Sequence, residues 1–385
     1  GIYRCDDFGA DTPYLYTVNQ NYNVTQYYSV EIHPFEGEQM VMGGTQDNGS
    51  QRSLEDGPSD FAQVSWADGG FSLIDNEDPS YWYTTTQYRR IIRTHDGEID
   101  SLTNPNLTDL NTIWINPLIF DENDPQTIYQ ASNRGIWRLK FARTASPSQW
   151  VKCTRNYGSV TALASSKSEA HLLMMGRAGT ATPYKIENAH ITDENYTPKS
   201  MDIRAQLPAG AYLNCIYIDP ADANHVLLVY TNYGIESVFE SKDALGSDPT
   251  WTSVEGNLPD IPIRWASLHP VNKEVCYVAT ELGMYYTDKL DGNNTQWVKT
   301  NTALPNMRMD MIIHRQSDGV FAIGSHGRGI FEGRPMSNSN DLEWIERGPK
   351  NIGGRTRTLL LDPNQEGKVW AGSVRGGLWV VDDVD

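Results

Sequence analysis

The sequence predicts an all-β protein: a seven-bladed β-propeller with four-stranded blades, plus terminal segments of a second propeller or of an extra blade. Three observations carry this prediction. A glycine-containing turn between two apolar strands recurs along the chain, and a turn marked by Asp or His near Pro recurs one strand earlier. Successive copies begin about 40 to 55 residues apart, which is the period expected of propeller blades.

The first recurring turn is clearest in FAIGSHGRGIFEG (321–333). The other copies are VMGGTQDNGSQRS (41–53), YTTTQYRRIIRT (83–94), YQASNRGIWRL (129–139), LMMGRAGTATPYKI (173–186), LVYTNYGIESV (228–238), YVATELGMYYT (277–287) and VWAGSVRGGLWVV (369–381). Glycine suits such a turn because tight connections between antiparallel strands often need a positive φ. Since a strand rather than a helix follows each turn, the glycines of 324–329 do not indicate a nucleotide-binding loop.

The second recurring turn ends an apolar strand, as in FSLIDNEDP (71–79), LIFDENDP (118–125), CIYIDPAD (215–222) and TLLLDPN (358–364). Proline ends the hydrogen-bonded ladder there and starts a turn. Each unit is therefore predicted to contain strands A to D, and Trp150, Trp251 and Trp297 stand where strand D should begin.

This count divides the chain into four parts. Residues 1–19 are interpreted as the end of a preceding blade, 20–334 as the seven-bladed propeller, 335–344 as a linker, and 345–385 as the first strands of a second propeller. Degenerate Asp-box sequences follow several C strands, for example Ser241-Lys242-Asp243 with Trp251 beyond it. We expect these aspartates to accept backbone N–H bonds and to be structural.

Composition limits the possible partners. The chain has 31 Lys+Arg against 49 Asp+Glu, a formal net charge of −18. Nucleic acid is therefore not an expected partner, because neutralising phosphates requires clustered basic residues. No apolar run is long enough for a membrane span, so membrane insertion is not expected. The four cysteines do not have zinc-site spacing, and no cofactor is expected.

Four segments resemble a known family: GGTQDNGS (43–50), WADGGFSLIDNEDPSYWY (66–83), GSHGRGIF (324–331), and GPKNIGGRTRTLLLDPN (348–364) with VWAGSVRGGLW (369–379). They resemble the bacterial sortilin-like, BNR-repeat "glycosyl hydrolase" proteins, which are distantly similar to two-propeller xyloglucanases. The resemblance implies a secreted or surface-exposed chain with more than one propeller. It implies catalysis poorly, because Ala67-Asp68-Gly69-Gly70 matches the xyloglucanase G-D-x-G-G context only in part.

The candidate site residues lie in B–C turns and D–A loops, which gather on one face of a propeller. Asp68 and Asp47 are the candidate catalytic residues. The candidate ligand-binding residues are Gln46, Asn48, Tyr88, Arg89, Tyr233, His326 and Arg328. Three interpretations stay open: turn-forming residues, a calcium site built from oxygen ligands, or a glycosidase carboxylate pair.

The function predicted from these observations is that of a secreted or cell-surface propeller that acts as a binding or assembly module. Its ligand would be a protein or a polysaccharide, and its partners the remainder of its own chain or another subunit. The first alternative is a glycoside hydrolase that uses paired carboxylates. The second is a structural subunit of an extracellular assembly.

Overall fold

The regular structure of the protein is almost entirely β-strand, as the sequence predicts. The computed structural model describes residues 1–88, 90–105 and 113–382. Their helical content is one short 3₁₀ turn, Pro147–Gln149, and none of their helices is long and apolar enough to cross a membrane. Near the amino terminus, β1 (Tyr3–Arg4) pairs with β2 (Tyr16–Thr17).

Seven four-stranded antiparallel sheets follow within the described residues, and in each sheet strands that are adjacent in sequence are paired. We call them the ring sheets. The first three contain β3 (Glu31–Ile32), β4 (Val41–Gly44), β5 (Ser50–Ser53) and β6 (Ala62–Gln63); β7 (Gly69–Ile74), β8 (Tyr81–Thr86), β9 (Ile91–His95) and β10 (Glu98–Ser101); and β11 (Leu118–Asp121), β12 (Asp124–Ser132), β13 (Gly135–Leu139) and β14 (Val151–Lys152). The fourth and fifth contain β15 (Val160–Ser165), β16 (Leu173–Arg177), β17 (Tyr184–Ile186) and β18 (Lys199–Ser200); and β19 (Leu213–Asp219), β20 (Asp222–Tyr230), β21 (Val238–Ser241) and β22 (Thr252–Ser253). The sixth and seventh contain β23 (Ile263–Leu268), β24 (Cys276–Thr280), β25 (Gly283–Thr287) and β26 (Val298–Lys299); and β27 (Met309–His314), β28 (Phe321–Ser325), β29 (Ile330–Met336) and β30 (Ser339–Gly348).

The first strands of the ring sheets surround a central channel. Each first strand contacts the first strand of the next sheet, and β27 contacts β3, which closes the circle. Apolar side chains fill the spaces between consecutive sheets, for example Cys215 and Val229 against Ala266 and Val278. This arrangement is consistent with a β-propeller. We call the side with the turns between second and third strands the upper face, and the opposite side the lower face.

Within the described residues, five copies of the recurring glycine turn share one hydrogen bond. A Ser or Thr hydroxyl at the end of the second strand donates to a glycine carbonyl at the start of the third. Ser325 donates to Gly329 at 2.7 Å, and Thr45 donates to Gly49 at the same distance. The φ values of Gly329 and Gly49 are 71° and 64°, in the region that favours glycine. The glycines of GSHGRGIF are therefore explained by the turn.

Tryptophans join neighbouring sheets immediately before their fourth strands. The indole Nε1 of Trp150 donates to the carbonyl of Leu102 at 2.8 Å, that of Trp251 to Met201 at 2.7 Å, and that of Trp297 to Val254 at 2.9 Å. Each acceptor lies just after the fourth strand of the preceding sheet. A buried tryptophan needs a partner for its N–H, and the repeat supplies one.

The segment 335–344, expected as a linker, is instead part of a hairpin. Strands β29 and β30 pair from Ile330 with Gly348 to Met336 with Ser339, so the seventh ring sheet extends to residue 348. The polar run Ser337-Asn338-Ser339-Asn340 suggested a linker, but Leu342 and Trp344 alternate into the core. This alternation is the signature of a strand with one buried face.

A separate three-stranded sheet follows, which we call the terminal sheet: β31 (Thr356–Leu361), β32 (Val369–Ser373) and β33 (Leu378–Val381). One part of it packs against the ring, because Ala371 and Trp379 share an apolar cluster with Tyr22 and Val24. The amino-terminal pair β1 and β2 forms its own sheet.

Candidate functional site

The two candidate carboxylates lie together on the upper face, between the first and second ring sheets. Asp68 Oδ1 accepts the backbone N–H of Asp47 at 2.8 Å. Burial raises the pKa of the Asp68 carboxyl above its ordinary value; the N–H of Asp47 opposes this shift, while the negative charge of Asp47 adds to it. Burial is therefore the main influence on the protonation of Asp68.

The local glycines bring these residues together. A Cβ on Gly44 would lie 1.9 Å from the carbonyl oxygen of Gly70, and one on Gly69 would lie 2.4 Å from that of Gly49. Any larger residue would separate the two backbones. The glycine pairs in GGTQDNG and ADGG are therefore needed for the packing of the first two ring sheets.

The segment that leads into the terminal sheet already contacts Asp47. An Arg355 guanidinium nitrogen lies 2.8 Å from Asp47 Oδ2, and Asn48 Nδ2 donates to the carbonyl of Gly353 at 3.3 Å. The backbone N–H of Gln46 donates to the backbone carbonyl of Gln26 at 2.9 Å. The turn that carries three of the candidate residues is thus in contact with the chain's own residues 353–355.

His326 and Arg328 have separate surroundings. His326 Nδ1 lies 2.9 Å from Asp310 Oδ2, and both side chains are buried. Although burial opposes it, His326 and Arg308 hold the pKa of Asp310 below its ordinary value. The Arg328 guanidinium lies 4.8 Å from the ring centroid of Trp379 in the terminal sheet, a cation–π contact.

Glu281 is a residue that the sequence did not single out. It lies in the turn of the sixth ring sheet and forms ion pairs with Arg264, Arg308 and Arg375. Burial opposes ionisation, but these arginines hold its pKa below the ordinary value. The available signal was its position in YVATELGM, which corresponds to His326 in FAIGSHGRGI.

Tyr28 lies beside these acidic groups. Its ring centroid is 5.7 Å from that of His326. Burial raises the pKa of Tyr28 to about 12, with further contributions from Asp68, Asp310 and Asp47. The carboxylates of the first, second and seventh sheets therefore act on one region of the upper face.

The aromatic candidates lie at the rim of the upper face. Tyr88 packs edge to face on Trp114 with ring centroids 5.0 Å apart, and both rings are partly exposed. Tyr233, in the turn of the fifth sheet, is 69% exposed. Arg89 lies outside the described residues.

The described part of the chain contains no group of three or more His, Cys, Asp and Glu side chains arranged to hold a metal ion. On the upper face, arginines occupy the positions that a cation would take, since Arg355 contacts Asp47 and Arg375 contacts Glu281. The arrangement joins the ring to the terminal sheet by charge.

No protein-family model matches the sequence, and no curated protein does. Solved structures do match. The GH74 enzyme of Niastella koreensis has a TM-score of 0.62 at 14% identity, with 95% of this chain and 60% of that chain covered. The GH74 xyloglucanase of Xanthomonas campestris has a TM-score of 0.60 at 14% identity, with 91% and 58% covered. Raptor of Chaetomium thermophilum has a TM-score of 0.57 at 15% identity, with 84% and 30% covered.

The shared feature is the β-propeller fold. At such low identity the likeness concerns fold alone, and one fold supports many functions. This chain spans about three fifths of the length of the Niastella koreensis structure. The similarity to xyloglucanases is thus supported at the level of the fold, while the sortilin-like, BNR-repeat resemblance stays a prediction.

Proposed function

We propose that this chain is a binding and assembly module of the β-propeller class that works outside the cell, on a protein or polysaccharide ligand. One observation carries the proposal. The upper face holds the terminal sheet through Arg355 on Asp47 and Arg375 on Glu281, while the far side of that sheet is apolar and exposed. The module therefore has one docked surface and one open surface.

The open surface is defined by the pairing of the terminal strands. Leu360 is opposite Trp370, which is opposite Val380, so these three side chains share a face. Leu360 and Val380 are 61% and 43% exposed. An exposed apolar sheet face marks an interaction surface, and an edge strand can pair with a further strand. The partner that fits is another β-sheet structure.

The domain organisation belongs to the same proposal. Each ring sheet is one blade of a seven-bladed propeller, and the terminal sheet is the beginning of a second propeller. Its TLLLDPN sequence matches the first-strand pattern of the ring. In the ring both faces of such strands are covered by neighbouring sheets, whereas Leu359, Leu360 and Leu361 are all more than half exposed. The extracellular location rests on the family resemblance.

The alternative to a binding module is a glycoside hydrolase that uses Asp68 with a second carboxylate. An assay on a panel of polysaccharides, xyloglucan included, separates the two. We expect no hydrolysis by the wild-type protein, and unchanged retention of any bound polysaccharide by Asp68→Asn and Asp47→Asn. Hydrolysis by the wild type that Asp68→Asn abolishes would establish the enzyme and overturn the binding-only proposal.

A further inference from the structure

The channel contains a second candidate site, far from the upper-face carboxylates and independent of the function proposed above. A cavity of about 540 Å³ lies among the first strands of the ring sheets and extends to the lower face. Ligand pockets commonly have volumes of roughly 300 to 1,000 Å³. All seven first strands contribute to its lining, so it is a property of the closed ring.

One carboxyl group lines this cavity without a cationic partner. Glu31, on the first strand of the first sheet, is surrounded by protein but keeps part of its surface open to the channel. Its Oε1 accepts the N–H of Ile32 at 3.0 Å, and no Lys, Arg or His of the described residues forms an ion pair with it. Burial raises the pKa of Glu31 to about 8, and the nearby Glu122 adds to this shift. A carboxylate at this position lacks the positive charge that would stabilise it.

Aromatic rings form part of the wall. Phe71 and Trp265 line the cavity from the second and sixth sheets. Both pack against the apolar cluster shared by the first and seventh sheets, which includes Ile32 next to Glu31. An aromatic wall beside an unpaired carboxyl suits an ammonium group with an apolar body.

Other ionisable groups line the cavity as well. Burial raises the pKa of Glu122, at the lower mouth, and the positive charge of Lys167 opposes this shift. The Arg315 side chain is paired with Asp318 at 2.7 Å. Burial lowers the pKa of His314 to about 4, so it is neutral at pH 7. Among the described residues, Glu31 is therefore the cavity-lining carboxyl group that no neighbouring cation stabilises.

We propose that the lower half of the channel binds a small organic cation, a primary ammonium on an apolar or aromatic body, with the ammonium at Glu31 and the body against Phe71 and Trp265. Binding displaces the proton of Glu31 into solvent near neutral pH. The affinity for the ammonium accordingly rises between pH 6 and pH 8, because Glu31 ionises over this range. The other ionisable groups around the cavity are Glu122, Lys167, Arg315 and the neutral His314.

The test uses two probes of nearly equal shape, 2-phenylethylammonium and the neutral 2-phenylethanol, in titration calorimetry of the whole chain. We expect the ammonium to bind at least tenfold more tightly than the alcohol at pH 7.5. Its binding heat should differ between phosphate and Tris buffers, because a proton is released. Glu31→Gln should weaken ammonium binding at least tenfold.

The matched control is Glu36→Gln, a similar change in an exposed turn of the lower face, which should leave binding unchanged. If Glu31→Gln does not fold, Trp265→Leu is the substitute test. It removes one aromatic ring of the wall and keeps Glu31, and it should weaken ammonium binding severalfold. No ammonium binding by the folded wild type would overturn the proposal. Equal binding of both probes, or full binding by folded Glu31→Gln, would overturn it as well.

Discussion

At the scale of single residues, ion pairs between sheets involve the aspartates of the recurring Asp–Pro turns. Asp75 directly follows β7, and its buried carboxylate is held by Arg143 of the next sheet at 2.6 and 2.8 Å. It also accepts the backbone N–H groups of Glu77 and Asp78, each at 3.0 Å. The sequence marks this aspartate as a turn residue, but its partner is 68 residues away, and local patterns do not indicate such distant contacts.

Asp75→Ala should lower the free energy of unfolding by about 3 kcal/mol, because it removes the buried partner of Arg143 between two sheets and leaves this arginine with the exposed Glu77 alone. Urea-induced unfolding followed by tryptophan fluorescence measures this. Glu77→Ala is the matched control, since Glu77 meets the same arginine from an exposed position and should cost about 0.5 kcal/mol. Equal losses for the two variants would show that Asp75 is not the more important partner.

The residues of the upper face also show that local sequence patterns do not indicate distant contacts. That Asp47 and Asp68 come close follows from their positions in a turn and a loop on one face. The contact between Asp47 and Arg355 could not be predicted from local sequence patterns, because the two residues are 308 positions apart. It depends on how the terminal sheet docks on the ring.

At the scale of elements, strand patterns predicted an all-β chain of propeller type, and turn composition predicted several of the strand starts. The recurring patterns predict that the first strands begin near Tyr27, Gly70, Ile113, Val160, Tyr212, Trp265 and Met309. They begin at Glu31, Gly69, Leu118, Val160, Leu213, Ile263 and Met309. The segment 335–344 was predicted wrongly, because a polar tight turn between long strands resembles a linker in composition. The alternating Leu342 and Trp344 were the better guide.

The tryptophans before the fourth strands give an element-scale prediction. Trp251→Phe keeps an aromatic ring between the fourth and fifth sheets but removes the hydrogen bond to the Met201 carbonyl. We expect the free energy of unfolding to fall by about 1 to 2 kcal/mol, the cost of a buried acceptor without its donor. Trp66→Phe, at a 51% exposed position, should change stability by less than about 0.5 kcal/mol. Urea unfolding of both variants checks this, and equal effects would contradict a joining role for the indole N–H.

At the scale of the whole molecule, a closed ring is joined by charge to a sheet whose outer face is uncovered. The seven ring sheets cover one another, so their apolar strands are buried from both sides. The first strand of the terminal sheet has the same pattern of apolar residues before Asp and Pro, but this sheet contacts the ring on one side only. This difference in burial between similar strand patterns supports a binding and assembly function, because a partner that covers the exposed face would stabilise the sheet further.

The most direct test of this account is the mass of the protein measured by light scattering as its concentration is raised. We predict that the wild-type mass increases above that of one chain, because exposed terminal sheets cover one another. The variant Leu360→Glu with Val380→Glu should keep the mass of a single chain, since the charges lie on the exposed face. Asn364→Asp with Gln365→Glu adds the same two charges in an exposed loop and should behave as the wild type does. A wild-type protein that has the mass of one chain at every concentration would contradict the account.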